Sequence, residues 1–166
     1  MTALLEDFDE VEGIELFQRL PIFRGLNFDE TRRLAGIART ERFEEGAVIV
    51  EQDALGMALY LIKNGEVSVV KLDTDGGGPA QVLGRMTPGE LFGEMTLVDD
   101  VLTSARVVAA TDVEVFAIPR SDFDALLATD TALALKIYRA FCRTLSDKLR
   151  QLHARLMPHG TEAGGN

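Results

Sequence analysis

The chain has a single cysteine, Cys142, and two histidines, His153 and His159, both close to its C-terminal end. One cysteine excludes an intramolecular disulfide and fits a reducing compartment. With so few histidines there is no H-E-x-x-H, no C-x-x-C and no spaced ligand set for zinc or iron. A metal-dependent β-roll enzyme would need histidines clustered on strands, and a Ser/His/Asp constellation cannot be placed either. No metal site, no cofactor and no catalytic residue are therefore expected. Basic residues are also scarce: 17 Lys and Arg stand against 27 Asp and Glu, a formal net charge of −10. That balance argues against a nucleic-acid partner, whose phosphates need clustered cations. No stretch approaches 18 uninterrupted apolar residues, so no membrane span is expected. The N-terminus lacks the basic region and apolar run of a signal peptide, which makes the cytoplasm the expected location.

What is present suits one soluble domain. The chain has 166 residues, 46% hydrophobic and 27% charged, enough to bury a proper core. Residues 1–13 carry Glu6, Asp7, Asp9, Glu10 and Glu12 with no basic residue. They read as a solvated acidic lead-in, the alternative being a docking tail for a basic partner. The folded part is expected over 14–157, and 158–166 read as a flexible tail.

Ile14, Leu16, Phe17 and Leu20 predict a short helix ending before Pro21. Asn27 with Glu30 three residues on has the form of a capping box, opening a helix to about Ala38. From Phe43 the period changes. Short apolar runs rich in β-branched residues alternate with turns, predicting a β roll over about 43–118. Asn64-Gly65 between two such runs predicts a two-residue hairpin, and Thr111-Asp112 a last strand pair. Two helices are expected over about 121–157, the first capped by Ser121. The fold class is mainly β, a roll or jelly roll with N-terminal helices and a long C-terminal helix.

Gly89 to Ala109 carries the candidate binding chemistry. Gly93 permits positive φ and a close backbone approach. Residues 94–98 predict one helical turn, and Glu94 at its start can accept hydrogen bonds from ligand hydroxyls. Thr103-Ser104-Ala105 return beside that turn, so the segment encloses a space suited to a small phosphorylated sugar.

Phe92-Gly93-Glu94, Ser104-Ala105 and Val107 resemble the phosphate-binding cassette of the cyclic nucleotide-binding domain family. Gly46, Gly65 and Leu59-Tyr60-Leu61-Ile62 extend the resemblance over roughly residues 20–157. It implies a non-catalytic regulatory or sensor module for signal transduction, with cAMP or cGMP as ligand. It also implies binding roles for Gly93, Glu94, Met95, Thr103, Ser104 and Ala105. The glutamate would accept the ribose 2′-hydroxyl, and the backbone at 93–95 and 104–105 would meet the cyclic phosphate. Two departures stand out: the cassette arginine is replaced by Thr103, and a Gly-Asp pair by Asp53-Ala54. Arg106 could compensate only if it faces the site. Strand alternation puts it on the opposite face, and a bulge would reverse that.

On the long helix, Leu135, Tyr138, Cys142, Leu145, Leu149, Leu152 and Leu156 follow a 3-4 spacing, a heptad seam for a homodimer. Intramolecular packing of the same residues is the alternative. Ile137 and Phe141 would anchor the helix on its own roll, with Tyr138 and Phe141 placed to cover the site. Transcription factors that the resemblance points to carry a helix-turn-helix after this helix. About nine residues follow it here, so output through dimer geometry or a protein partner is expected. Two functions stay open: weak or altered cyclic nucleotide binding, or a dimerisation or docking scaffold without nucleotide.

Overall fold

Two antiparallel four-stranded sheets face each other, and the chain passes between them at every connection between strands except β4–β5. The structure, a computed structural model, describes residues 13–73, 78–95 and 102–156. The acidic lead-in, the tail and most of the helical turn expected at 94–98 lie outside the described residues. The strands are β1 (Arg39–Phe43), β2 (Val48–Val50), β3 (Ala58–Asn64), β4 (Val67–Lys71), β5 (Gln81–Met86), β6 (Leu91–Phe92), β7 (Arg106–Ala109) and β8 (Val113–Pro119). One sheet has the order β1-β8-β3-β6 and the other β2-β7-β4-β5. The described helices are α1 (13–19), α2 (Phe28–Ala35), α3 (Arg120–Thr129) and α4 (Thr131–Leu156).

The expected hairpin at Asn64-Gly65 does not form. β3 pairs with β8 and β6, whereas β4 pairs with β7 and β5, so the two strands lie in different sheets. Likewise Thr111-Asp112 does not join a paired couple. Instead, β3–β4 and β7–β8 run alongside each other as one long ribbon bent at mid-length. Gly65 marks the bend, with φ 86° and a would-be Cβ only 2.2 Å from the Asp112 carbonyl oxygen. The amides of Ala110 and Thr111 both donate to the Glu66 carbonyl, locking the two corners together. A type I′ hairpin needs positive φ at both central residues, and of Asn64 and Gly65 only the glycine has it.

Sheet one is covered on both faces, which is why β3 and β8 read as nearly unbroken apolar runs. Leu59, Leu61, Phe116 and Ile118 pack under Phe17, Leu34, Phe123, Leu133, Ile137 and Phe141 from the helices and Phe23 from the turn between α1 and α2. Between the sheets lie Ile62, Val67, Phe92, Val107, Ala109, Val113 and Val115. β1 begins at Arg39, four residues before the change of period at Phe43. Its charged residues hid it, because it is an edge strand whose Arg39 and Arg42 pair outward with Asp122 and Glu114.

The helix ends follow local chemistry, with two differences. Asn27 Oδ1 accepts from the Glu30 amide at 2.9 Å, and the Glu30 carboxylate accepts from the Asn27 amide at 2.8 Å. That box opens α2, which ends at Ala35 with Gly36 as its C-cap rather than at Ala38. Ser121 caps nothing: α3 starts at Arg120 directly from β8, its first amide donating to the Met57 carbonyl. Asp130 opens α4, taking the Leu133 amide on one oxygen and Arg33 on the other. Those bonds, the backbone one first, hold its carboxyl below the ordinary aspartate value.

α4 anchors through Leu133, Ile137 and Phe141, all buried. Leu135, Tyr138, Cys142, Leu145 and Leu149 of the heptad seam are exposed within the chain. The side chains of Leu152 and Leu156 lie outside the described residues. No described helix is long and apolar enough to cross a membrane.

Candidate ligand-binding site

β6 is only two residues long, yet it sets one wall of a cavity of about 390 Å³. It pairs with β3, bringing Phe92 opposite Tyr60, where the rings stack at 4.9 Å. The next residue must be glycine. Gly93 has φ 82°, and a Cβ there would come within 2.6 Å of the Ala58 carbonyl oxygen. Glu94 and Met95 follow at the cavity wall, with Leu102, Thr103, Ser104 and Ala105 facing them. Val50, Val69 and Val107 from sheet two, with Met86, supply the apolar floor.

Thr103 is a buried polar residue, 8% exposed, and its hydroxyl is committed to backbone. It donates to the carbonyl of Glu51, lies 3.2 Å from the Ala54 carbonyl, and accepts from the Ala54 amide at 3.1 Å. Main-chain bonds from Asp53 to Thr103 and from Thr103 to Ala54 complete the clamp. Asp53 takes φ 57°, the one non-glycine residue at positive φ among the described residues. The Asp53-Ala54 departure thus sits at the turn that Thr103 holds.

Arg106 does not line the cavity. Ala105 and Val107 on either side of it do, and strand alternation turns Arg106 to the outer face of sheet two. There its Nε and a terminal nitrogen lie 2.9 and 2.8 Å from one oxygen of Glu51. None of the described residues lining the cavity is a lysine or arginine.

The structure therefore brings Gly93, Glu94, Met95, Thr103, Ser104 and Ala105 around one space and leaves Arg106 outside it. Tyr138 and Phe141 do not cover this cavity: Phe141 is in the helical core and Tyr138 is exposed. Reading the sequence missed the apolar floor and Lys71, whose ammonium donates to the Ser104 carbonyl at 2.7 Å. The alternation Val67, Val69, Lys71 along β4 was the available signal. Among the described residues no group of three His, Cys, Asp or Glu could hold a metal ion.

A family model described as Cyclic nucleotide-binding domain matches residues 40–130, more than half of the chain, spanning the cavity and both sheets. The chain belongs to the cyclic nucleotide-binding domain family. A cyclic AMP receptor protein from Thermus thermophilus is 35% identical over 76% of this chain. A cAMP-dependent protein kinase regulatory subunit from Aspergillus fumigatus is 34% identical over 66% of it. The alignments span 58% of the first relative and 25% of the second. The crystal structure of Thermus thermophilus catabolite activator protein superposes with a TM-score of 0.70, at 32% identity, covering 82% of this chain and 62% of that one. The eight strands and the flanking helices are thus those of a cyclic nucleotide-binding β roll.

Proposed function

We propose that this protein is a non-catalytic sensor module that binds a cyclic nucleotide, cAMP or cGMP, weakly in the cavity between β6 and the Leu102–Ala105 return. The observation that carries the reading is the pairing of Gly93-Glu94 on one wall with Ser104-Ala105 on the other, around a lining without a cation. Glu94 would accept the ribose 2′-hydroxyl, while backbone at 93–95 and 104–105 would meet the phosphate. A guanidinium at position 103 would add a charge-assisted bond, and truncating one side of such a pair costs about 2–5 kcal/mol. From a micromolar starting point that loss, roughly 30- to several-thousand-fold, puts the affinity between tens of micromolar and the millimolar range. Calorimetric titration with cAMP and cGMP tests it. Low-micromolar binding would overturn the weak-binding reading, and no binding at several times those concentrations would overturn the sensor reading.

A second reading rests on α4. Its seam of Leu135, Tyr138, Cys142, Leu145 and Leu149 is exposed while the adjacent face is anchored in the core. That stripe suits a parallel homodimer. In this reading the chain is a dimerisation scaffold, or couples ligand state to dimer geometry and so to a protein partner. A mass of one chain at tens of micromolar by light scattering would remove it.

A further inference from the structure

An anion held in this cavity needs a counter-charge, and the arginine nearest in sequence, Arg106, faces away and is held by Glu51. We infer that Lys71 supplies that charge. The inference rests on the reading of the cavity as a cyclic nucleotide site and names the group that meets the phosphate there.

Three observations converge on Lys71. The first is strand register. β4 and β7 pair regularly, with Val67 opposite Ala109, Val69 opposite Val107 and Val70 opposite Arg106. Residues opposite one another across a ladder share a face. Val69 and Val107 both line the cavity, so Val70 and Arg106 point outward. The next step along β4 is Lys71, on the same side as Val69 but at the strand's end, beyond the lining residues and opposite Gln81 of β5.

The second is contact. The Lys71 ammonium lies 2.7 Å from the carbonyl oxygen of Ser104, on the segment whose backbone would meet the phosphate. A neutral carbonyl is a modest partner for an ammonium, and a lysine has three donors on a flexible stem. The group can keep this bond and offer a second donor to an anion at Ser104-Ala105, or leave it for the stronger charge-assisted bond.

The third is the rigidity of the strand end that carries it. The Gln52 side chain accepts from the Leu72 amide at 2.8 Å and donates to the Leu72 carbonyl at 3.2 Å. Gln52 sits in the turn clamped by Thr103, so the root of Lys71 is tied to the same return as the site. Lys71 itself is exposed. An exposed ammonium is screened more than a buried guanidinium, which fits weak rather than tight binding.

The experiment compares cAMP with adenosine, which lacks the charge, by calorimetry on the full chain and its variants. Wild type is expected to bind cAMP better than adenosine. Lys71→Met should weaken cAMP roughly tenfold and leave adenosine unchanged, erasing most of that preference. Lys71→Arg should retain the preference, and Arg106→Ala should leave it intact. The cAMP affinity of wild type should fall with added salt more steeply than that of Lys71→Met. A Lys71→Met protein that keeps its circular dichroism and its preference for cAMP overturns the inference and leaves the sensor reading standing. Loss of the preference in Arg106→Ala instead overturns it in favour of that arginine. A wild type that binds neither cAMP nor cGMP overturns the sensor reading and the inference with it.

Discussion

The Thr103 hydroxyl and the Ala54 amide meet at 3.1 Å, and that bond joins the return of the cassette to a turn 49 residues earlier in the chain. Because the same hydroxyl also donates to the Glu51 carbonyl, Thr103 is a structural clamp at the position proposed for a phosphate counter-ion. Two demands compete at one position.

Substituting Thr103 separates them. Thr103→Val keeps the shape but strips the Ala54 amide and the Glu51 carbonyl of a partner, and should cost about 1–3 kcal/mol in urea unfolding. Thr103→Arg loses the same bonds and adds a guanidinium beside Ser104. It should raise cAMP affinity by roughly tenfold or more while lowering stability. Unchanged affinity in a folded Thr103→Arg protein would show that this position does not reach the phosphate.

Glu94 stands beside Gly93 on the wall facing Ser104. A carboxylate accepts hydroxyl hydrogens and repels phosphate. Glu94→Ala should therefore weaken cAMP and spare its 2′-deoxy analogue in parallel titrations. Equal losses for the two ligands would assign Glu94 to the structure of the wall.

Leu149 is 56% exposed in the chain, so a charge there cannot disturb the core of its own domain. Between two subunits it would be desolvated without a partner. Leu149→Glu is expected to give a folded monomer, seen as half the wild-type mass by light scattering with β-rich circular dichroism retained. Burial of each seam leucine stabilises by about 1.5–3 kcal/mol, so one substitution suffices. Unfolding of the variant would contradict the exposed position of Leu149.

Acid should weaken the fold through Glu114. Its carboxyl is held below the ordinary value of 4.5, first by the hydrogen bond from Lys63 and then by that from Arg42. The Lys63 ammonium lies 2.8 Å away with its side chain 4% exposed, over the Phe116 ring. A folded-state value lowered below the unfolded one gives stability that is fully present above about pH 4.5 and is lost as pH falls through the lower folded value. The melting temperature of Glu114→Gln should therefore fall less steeply with acid than that of wild type. At neutral pH the variant should lose about 1–3 kcal/mol, since the charge-assisted bond between Lys63 and residue 114 is replaced by a neutral one. Parallel acid profiles for the two proteins would show that the pair does not set the acid limit.

Features written in neighbouring residues were determined by the sequence alone. The Asn27–Glu30 box joins groups three residues apart, and the exposed stripe of Leu135, Tyr138, Cys142, Leu145 and Leu149 on α4 follows the helical period itself. Alternation along a strand favoured an outward Arg106 but left a bulge open, and the regular pairing of β4 with β7 decided it. Other features belonged to the tertiary structure because they depend on partners distant in sequence. Asn64-Gly65 marks a bend in any fold, but whether β4 turns back on β3 or crosses to the other sheet is decided by what β7 and β8 offer each strand. Thr103 looks like a lost arginine until Glu51 and Ala54 arrive beside its hydroxyl. Lys71 looks like a solvated strand end until β7 brings Ser104 to its ammonium. A local pattern specifies which face a side chain takes; only the closed roll decides what stands opposite that face.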